Sequence, residues 1–385
     1  MDDVPAGPAS PEPRRPSLSV VIPVRNGGND FERCLRRLRD SFLTDYELIV
    51  VDDGSTDDSA DQAIRAGATV YRHPTPLGPA AARNLGARVA RAKLVFFLDA
   101  DVAVYPRTLG LALARFELDR GLSALFGSYD SSPAAPGIVS QYRNLLHHFV
   151  HQQGPFEQRI RPAHTFWTGC GIMRRDVFLA FGGFDPRLYP RPAIEDIELG
   201  YRLTQAGHRI VLARDVLATH MKRWTLAEMV RTDIFSRGVP WTLLIKRTGT
   251  VETDLNVKSD QKACVVLTGV TILAVLVGLV TPWALFAALG ALASIVVLNR
   301  AFFSFLVRRK GLTFACAALP LHLIYYCSCG VSVVIAQYYW HTQPRTDGSG
   351  TPPTNTRTDR GVVSIPRPAV ARWSHRLSGW RARSN

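Results

Sequence analysis

Cysteine is scarce in this chain: six in 385 residues, with no two spaced as Cys-x-x-Cys. That excludes a disulfide framework or a cysteine zinc site and fits a reducing compartment for the soluble part. Four of the six (Cys264, Cys316, Cys327, Cys329) fall in the apolar C-terminal third. An apolar signal-peptide core is missing too. Residues 5–16 are polar and proline-rich, so a membrane is expected to be reached through the C-terminal part. No nucleic-acid-binding motif accompanies the net charge of +14, which is spread over tail, loops and helix faces. Attraction to anionic lipid on the cytosolic leaflet is the simpler reading, and no nucleic-acid partner is expected.

Charge itself is absent from two stretches: no Asp, Glu, Lys or Arg occurs over 263–299 or over 311–344. A bilayer core about 30 Å thick needs roughly 20 apolar residues in a helix. The first stretch is therefore too long for one span, and Thr281-Pro282-Trp283 divides it. About three spans are expected, over 263–280, 283–306 and 313–339. Arg308-Arg309-Lys310 marks a cytosolic end, and Tyr338-Tyr339-Trp340 an interfacial aromatic belt. A buried soluble helical core is disfavoured by the length of the uncharged run. Three spans would leave the Arg-rich tail outside, against the positive-inside preference, unless one segment is re-entrant or interfacial. The remaining divisions follow from composition. Residues 1–16 and 341–385 read as a disordered lead and a disordered basic tail. Residues 17–235 read as one globular domain. Residues 236–262 read as a juxtamembrane segment, with amphipathic stretches over 224–247 suited to the headgroup layer or to a surface of the domain. The whole is expected at the plasma or inner membrane, multi-pass, with its globular domain in the cytosol.

Within 17–235 the pattern is α/β. Leu18–Val24 is an apolar β-branched run that suits a buried parallel strand. Short strands at 47–51, 69–72 and 94–98 alternate with helical patterns at 31–41, 56–66 and 78–92, which implies βαβ units and a Rossmann-like, mostly parallel sheet. Polar residues cluster just after the strands, at Asn26, Asp52 and Asp99, where open α/β sheets bind ligands.

Four local features carry chemistry. Asp99-Ala100-Asp101 closes an apolar strand. Paired carboxylates there suit a hard cation, Mn²⁺ or Mg²⁺, that takes further ligands from phosphates, although a turn or cap also explains them. Asp52-Asp53-Gly54-Ser55 suits a nucleobase contact, or a turn capped by its own hydroxyls. Glu195-Asp196-Ile197-Glu198 precedes a helical pattern and offers either dipole compensation or a general base. His220, with Arg223 and Trp224 shortly after it, offers an imidazole ligand, a cation for diphosphate and an apolar face.

Taken in order, these features resemble the inverting family 2 glycosyltransferases of the GT-A fold. The resemblance covers about residues 18–235. It rests on Val20-Val21-Ile22-Pro23-Val24-Arg25-Asn26, Asp52-Asp53-Gly54-Ser55, Ala81-Ala82-Arg83-Asn84-Leu85-Gly86, Leu98-Asp99-Ala100-Asp101, Gly182-Gly183-Phe184-Asp185 and Glu195-Asp196-Ile197-Glu198-Leu199. It implies a GT-A domain followed by C-terminal transmembrane helices, and a nucleotide-sugar donor with UDP favoured. The acceptor would be lipid-linked or otherwise close to the membrane. It further implies Asp196, beside Glu195, as catalytic base. Pro23, Asn26, Asp52, Asp53, Arg83, Asp99 and Arg223 would lie on the donor side, with Asp99, Asp101 and His220 at the metal. Trp167, Thr168, Gly169 and Trp224 would lie toward the acceptor. One departure is informative: where processive members carry Gln-x-x-Arg-Trp, this chain has His220, then Arg223 and Trp224. That points to transfer of single sugars. A processive synthase, or a silent nucleotide-sugar-binding scaffold, are the alternatives.

Overall fold

The computed structural model describes residues 14–154, 158–249 and 259–342. The lead and tail assigned to 1–16 and 341–385 lie outside the described residues, apart from 14–16 and 341–342. The strands are β1 Leu18–Val24, β2 Tyr46–Asp52, β3 Thr69–Arg72, β4 Leu94–Leu98, β5 Val102–Val104, β6 Leu122–Tyr129, β7 Ile160–Ala163, β8 Cys170–Arg174 and β9 Arg209–His220. They form one sheet in the order β3-β2-β1-β4-β8-β6-β9-β5, with β7 also on β9. The first four strands are parallel, with β1 paired to both β2 and β4. Beyond β4 the sheet is mixed. β8 runs antiparallel to β4 and β6, while β6 and β9 are parallel. The Rossmann-like half is thus the N-terminal one, and its strand ends open onto the same edge.

The sheet is covered on both faces, so its central strands need no polar side. Alternate residues of β1 serve the two layers. Val20 and Ile22 pack with Phe31, Leu35 and Leu38 of the helix Gly28–Arg39. Val21 packs with Ala80, Ala82 and Ala87 of the helix Pro79–Val89. That helix lies close because Gly86 has no side chain: a Cβ there would fall 2.3 Å from Val21 Cγ1. Phe97 of β4 anchors the same layer, with ring centroids 6.3, 5.1 and 5.6 Å from Phe166, Phe178 and Phe184.

After β9, Thr225 starts the helix Leu226–Arg231 with a reciprocal capping box to Glu228. The chain continues as a π-helix, Thr232–Gly238, and the helix Val239–Thr248. Four helices follow: Ser259–Gly278, Ala284–Leu298, Arg300–Lys310 and Leu312–Thr342, all but the third apolar. Two are long and apolar enough to cross a membrane, or three if the bent middle pair counts as one. The span expected at 283–306 is not continuous. Its two halves meet at 73° around Asn299. The buried Asn299 side chain explains the break: its amide donates back to the Ile295 carbonyl at 2.9 Å, and its oxygen accepts from Tyr326 Oη at 2.9 Å. The turned half brings Phe302 and Leu306 onto Tyr142, Leu145 and Leu146 of the helix Ile138–His151. His322, on the last helix, bonds Tyr142 Oη at 2.8 Å. The apolar helices therefore pack against the α/β domain. The segment 224–247 packs between the two, with Val239 and Leu243 against Ala336.

Candidate active site

The strand ends, the loop before β8 and the start of the helix Glu195–Gln205 converge on one cavity of about 1860 Å³. Its rim is shaped first by β1. Asn26 adopts a left-handed backbone (φ 53°), and its side-chain oxygen accepts from Thr56 N at 2.8 Å. Pro23 and Asn26 both line the cavity.

The neighbouring aspartates at the end of β2 part company. Asp52 is fully buried, with Oδ1 accepting from Ser55 N at 2.8 Å and Oδ2 3.2 Å from Arg72 Nε. It shapes its own turn and does not line the cavity, so the structure does not support it as a donor-side contact. Asp53 lines the cavity. Its oxygens accept from Leu77 N and Gly78 N at 2.8 Å each, and His73 Nδ1 lies 2.7 Å away. These bonds tie β2 to the N-terminus of the helix Pro79–Val89. Gly78 is required there: its φ is 91°, and a Cβ would meet the Pro190 carbonyl oxygen at 2.3 Å.

That helix carries Arg83, buried between two carboxylates. One guanidinium nitrogen donates to Asp99 Oδ1 at 2.6 Å and another to Glu195 Oε1 at 2.9 Å. Burial opposes the cation, but Asp99 and Glu195 outweigh it and push the Arg83 pKa above its ordinary value. Glu195 Oε2 accepts from Ala193 N at 2.9 Å, so both its oxygens are engaged. Asp196 differs. It lines the cavity, accepting at Oδ2 from Thr168 N (3.0 Å) and Oγ1 (3.2 Å), and at Oδ1 from Ile197 N (2.9 Å). Burial and the Glu195 charge push its pKa up to about 6, against the pull of Thr168, Arg83 and Ile197. Two adjacent carboxylates thus have separate environments.

On the other wall, Asp101 Oδ2 lies 3.5 Å from His220 Nε2. His220 is held from behind: Nδ1 is 2.6 Å from Asn144 Oδ1, and the ring stacks on Tyr129 at 4.4 Å and 6°. An amide oxygen only accepts, so Nδ1 donates to Asn144 and Nε2 is turned toward Asp101. Burial pushes the Asp101 pKa up, but His220 and Lys222 more than offset this and hold it low. Among the described residues, no three His, Cys, Asp or Glu side chains stand close enough to enclose an ion alone. A carboxylate and an imidazole converging on an open cavity, with one Asp99 oxygen left over from Arg83, nonetheless fit a hard cation that takes its other ligands from phosphate.

Trp167 and Thr168 line the cavity. Trp167 stands edge-on to Tyr129 at 4.7 Å. Gly169 is not among the lining residues; it makes room, since a Cβ there would lie 2.4 Å from the Trp167 ring. Arg223 is exposed on the rim. Trp224 is buried but still lines the cavity, with Lys222 Nζ 4.3 Å from its ring centroid. The structure adds residues that sequence reading did not single out: Tyr129, Arg143, Asn144 and His147, from β6 and the helix Ile138–His151. That helix had no motif to mark it. The spacing of His147 and His151, four apart on one face, was its one available signal.

Comparison with known proteins speaks to the family and the fold. Residues 19–181 match the profile of glycosyl transferase family 2. A pre-mycofactocin glycosyltransferase of Mycobacterium tuberculosis is 28% identical over 309 residues, covering 77% of this chain and 59% of that protein. The chain therefore spans well under two thirds of that relative's length. An uncharacterised protein of Mycobacterium tuberculosis, MT1568, is 37% identical over 233 residues, covering 56% of this chain and 72% of that protein. In fold, a mannosyltransferase from Pyrobaculum calidifontis, solved with GDP-Man and Mn²⁺, superposes with a TM-score of 0.50 at 18% identity, covering 83% of this chain and 88% of that one. The chain thus carries a family 2 glycosyltransferase domain of the GT-A fold, followed by apolar helices of membrane-spanning length.

Proposed function

We propose that the protein transfers a single sugar, with inversion, from a nucleotide-sugar donor to a lipid-linked or other membrane-proximal acceptor. The cavity carries this reading. Its lining includes the strand-end carboxylates, Asp196, and Val265 and Val333 on the two helices of membrane-spanning length.

Donor and acceptor sides follow from the lining. Pro23, Asn26 and Asp53 shape the nucleotide end, with UDP the favoured carrier. Arg223 meets the diphosphate from the rim. Asp101, His220 and the free oxygen of Asp99 would hold Mn²⁺ or Mg²⁺, which supplies Lewis-acid stabilisation of charge on the leaving phosphate. Asp196 takes the proton of the acceptor hydroxyl as that oxygen attacks the anomeric carbon. The base is ionised above about pH 6. Glu195 is a positioning residue: through Arg83 it fixes Asp99 on one side and the helix bearing Asp196 on the other. Trp167, Thr168 and Trp224 form the acceptor wall. The site faces the cytosol at the plasma or inner membrane, where nucleotide sugars are made.

The test is a screen of radiolabelled nucleotide sugars on membranes containing the protein, with and without Mn²⁺ or Mg²⁺, followed by lipid extraction. Metal-dependent movement of one labelled sugar into lipid is the expected result. Label in a long polymer would replace single transfer by processive synthesis. Nucleotide binding without transfer or donor hydrolysis would leave a scaffold.

A further inference from the structure

The membrane-side half of the cavity contains a cation that the mechanism above does not use. Arg237 lies on the π-helix Thr232–Gly238, and π-helical turns are rare and concentrate at functional sites. Its side chain is half-buried and lines the cavity. Among the described residues it makes no hydrogen bond or ion pair. The nearest carboxylate on its own segment, Asp233, is consumed by Arg143, which grips both of its oxygens. Burial pulls the Arg237 pKa down, and the Arg143 charge adds to this. A half-buried cation beside another cation, with the local acid already taken, is costly unless an anion joins it.

Position identifies the anion's surroundings. Arg237 lines the same cavity as Asp196, and the Asp196 charge acts on it along with those of Arg143 and Asp233. The wall beyond it is apolar, formed by Trp241, Ile245, Val265, Tyr325 and Val333. Lys262 and Arg231 also line the cavity. The π-turn is fixed in place: a Cβ on Gly238 would fall 2.2 Å from Ser332 Oγ on the last helix.

Resting on the glycosyltransferase reading, we propose that Arg237 is the binding site for the phosphate of a lipid-phosphate-linked acceptor, whose hydrocarbon chain lies along the apolar wall toward the helices Ser259–Gly278 and Leu312–Thr342. The phosphate supplies the missing counter-charge. It also places the head of the acceptor beside Asp196.

The experiment uses the full chain purified in detergent and measures binding of farnesyl phosphate, farnesol and inorganic phosphate, with nucleotide-sugar binding measured on the same samples. Farnesyl phosphate should bind, and farnesol and inorganic phosphate each far more weakly. Arg237→Gln should weaken farnesyl phosphate roughly tenfold to a hundredfold, the range for one charge-assisted contact. Arg237→Lys should recover part of that loss, with nucleotide-sugar binding unchanged in both variants. Equal affinity of the wild type and Arg237→Gln would overturn the proposal, as would farnesol binding as well as its phosphate. Inorganic phosphate binding as tightly as the lipid would leave a free-phosphate site and remove the lipid. Loss of nucleotide-sugar binding in the wild type itself would instead overturn the glycosyltransferase reading. If nucleotide binding stays intact while farnesyl phosphate ignores Arg237, only the present inference falls.

Discussion

At the scale of single residues, Asp196 at the start of its helix carries the first expectation. Asp196→Asn keeps the size and removes the proposed base. Turnover should fall by about 10²–10⁴-fold while nucleotide-sugar affinity, read by titration, stays near wild type. Unchanged turnover would sink the base assignment. Because its folded pKa is about 6, raised from an ordinary 3.8, the base is lost as pH falls through 6. The acid limb of kcat/KM should therefore bend near pH 6 and flatten above it. A bend near 4 would mean another group is being read. Asp101→Ala should abolish the dependence of donor binding on Mn²⁺; donor affinity that still responds to metal would argue against Asp101 as a ligand. Much of this level was legible in the sequence, since Asp53, Asp99, Asp101, Asp196, His220 and Arg223 all line one cavity. What the sequence could not convey was hydrogen-bond occupancy. Asp52 and Asp53 are adjacent and chemically alike, yet only the backbone geometry turns one into its own loop and the other to the cavity.

At the scale of elements, the strands near the N-terminus were readable because covered parallel strands must be apolar throughout. β1, β3 and β4 stand where the pattern placed them. The later strands were not read, since β6 and β8 are irregularly spaced and pair across long separations. The break at Asn299 was missed for a similar reason: hydropathy sees one apolar run, while the bend depends on a buried partner, Tyr326, that comes later in the chain. Asn299→Leu should remove the bonds to Ile295 and Tyr326, leaving Tyr326 Oη with Gln261 Oε1 at 3.0 Å as its acceptor, and cost about 0.5–1.5 kcal/mol, seen as a lower melting temperature in detergent. No shift would mean that packing alone sets the bend. In the α/β core, Phe97→Ala removes the ring at the centre of three aromatic contacts. It should cost about 3–5 kcal/mol by the same measurement.

At the scale of the whole molecule, the sequence divides into an α/β part and an apolar part, but its pattern does not show that one cavity serves both. That emerges from the helix Ile138–His151, which gives Asn144 to His220 on one side and Tyr142 to His322 on the other. Arg83 has an equally wide reach. It grips Asp99 at the strand end and Glu195 at the start of the helix that bears Asp196. A cation arriving at the free oxygen of Asp99 would weaken that carboxylate's hold on Arg83, and the change would pass through Arg83 to Glu195. The two substrates should then not be kinetically interchangeable. Initial-rate patterns should show the nucleotide sugar binding first, the acceptor second, and little wasteful cleavage of the donor while it waits.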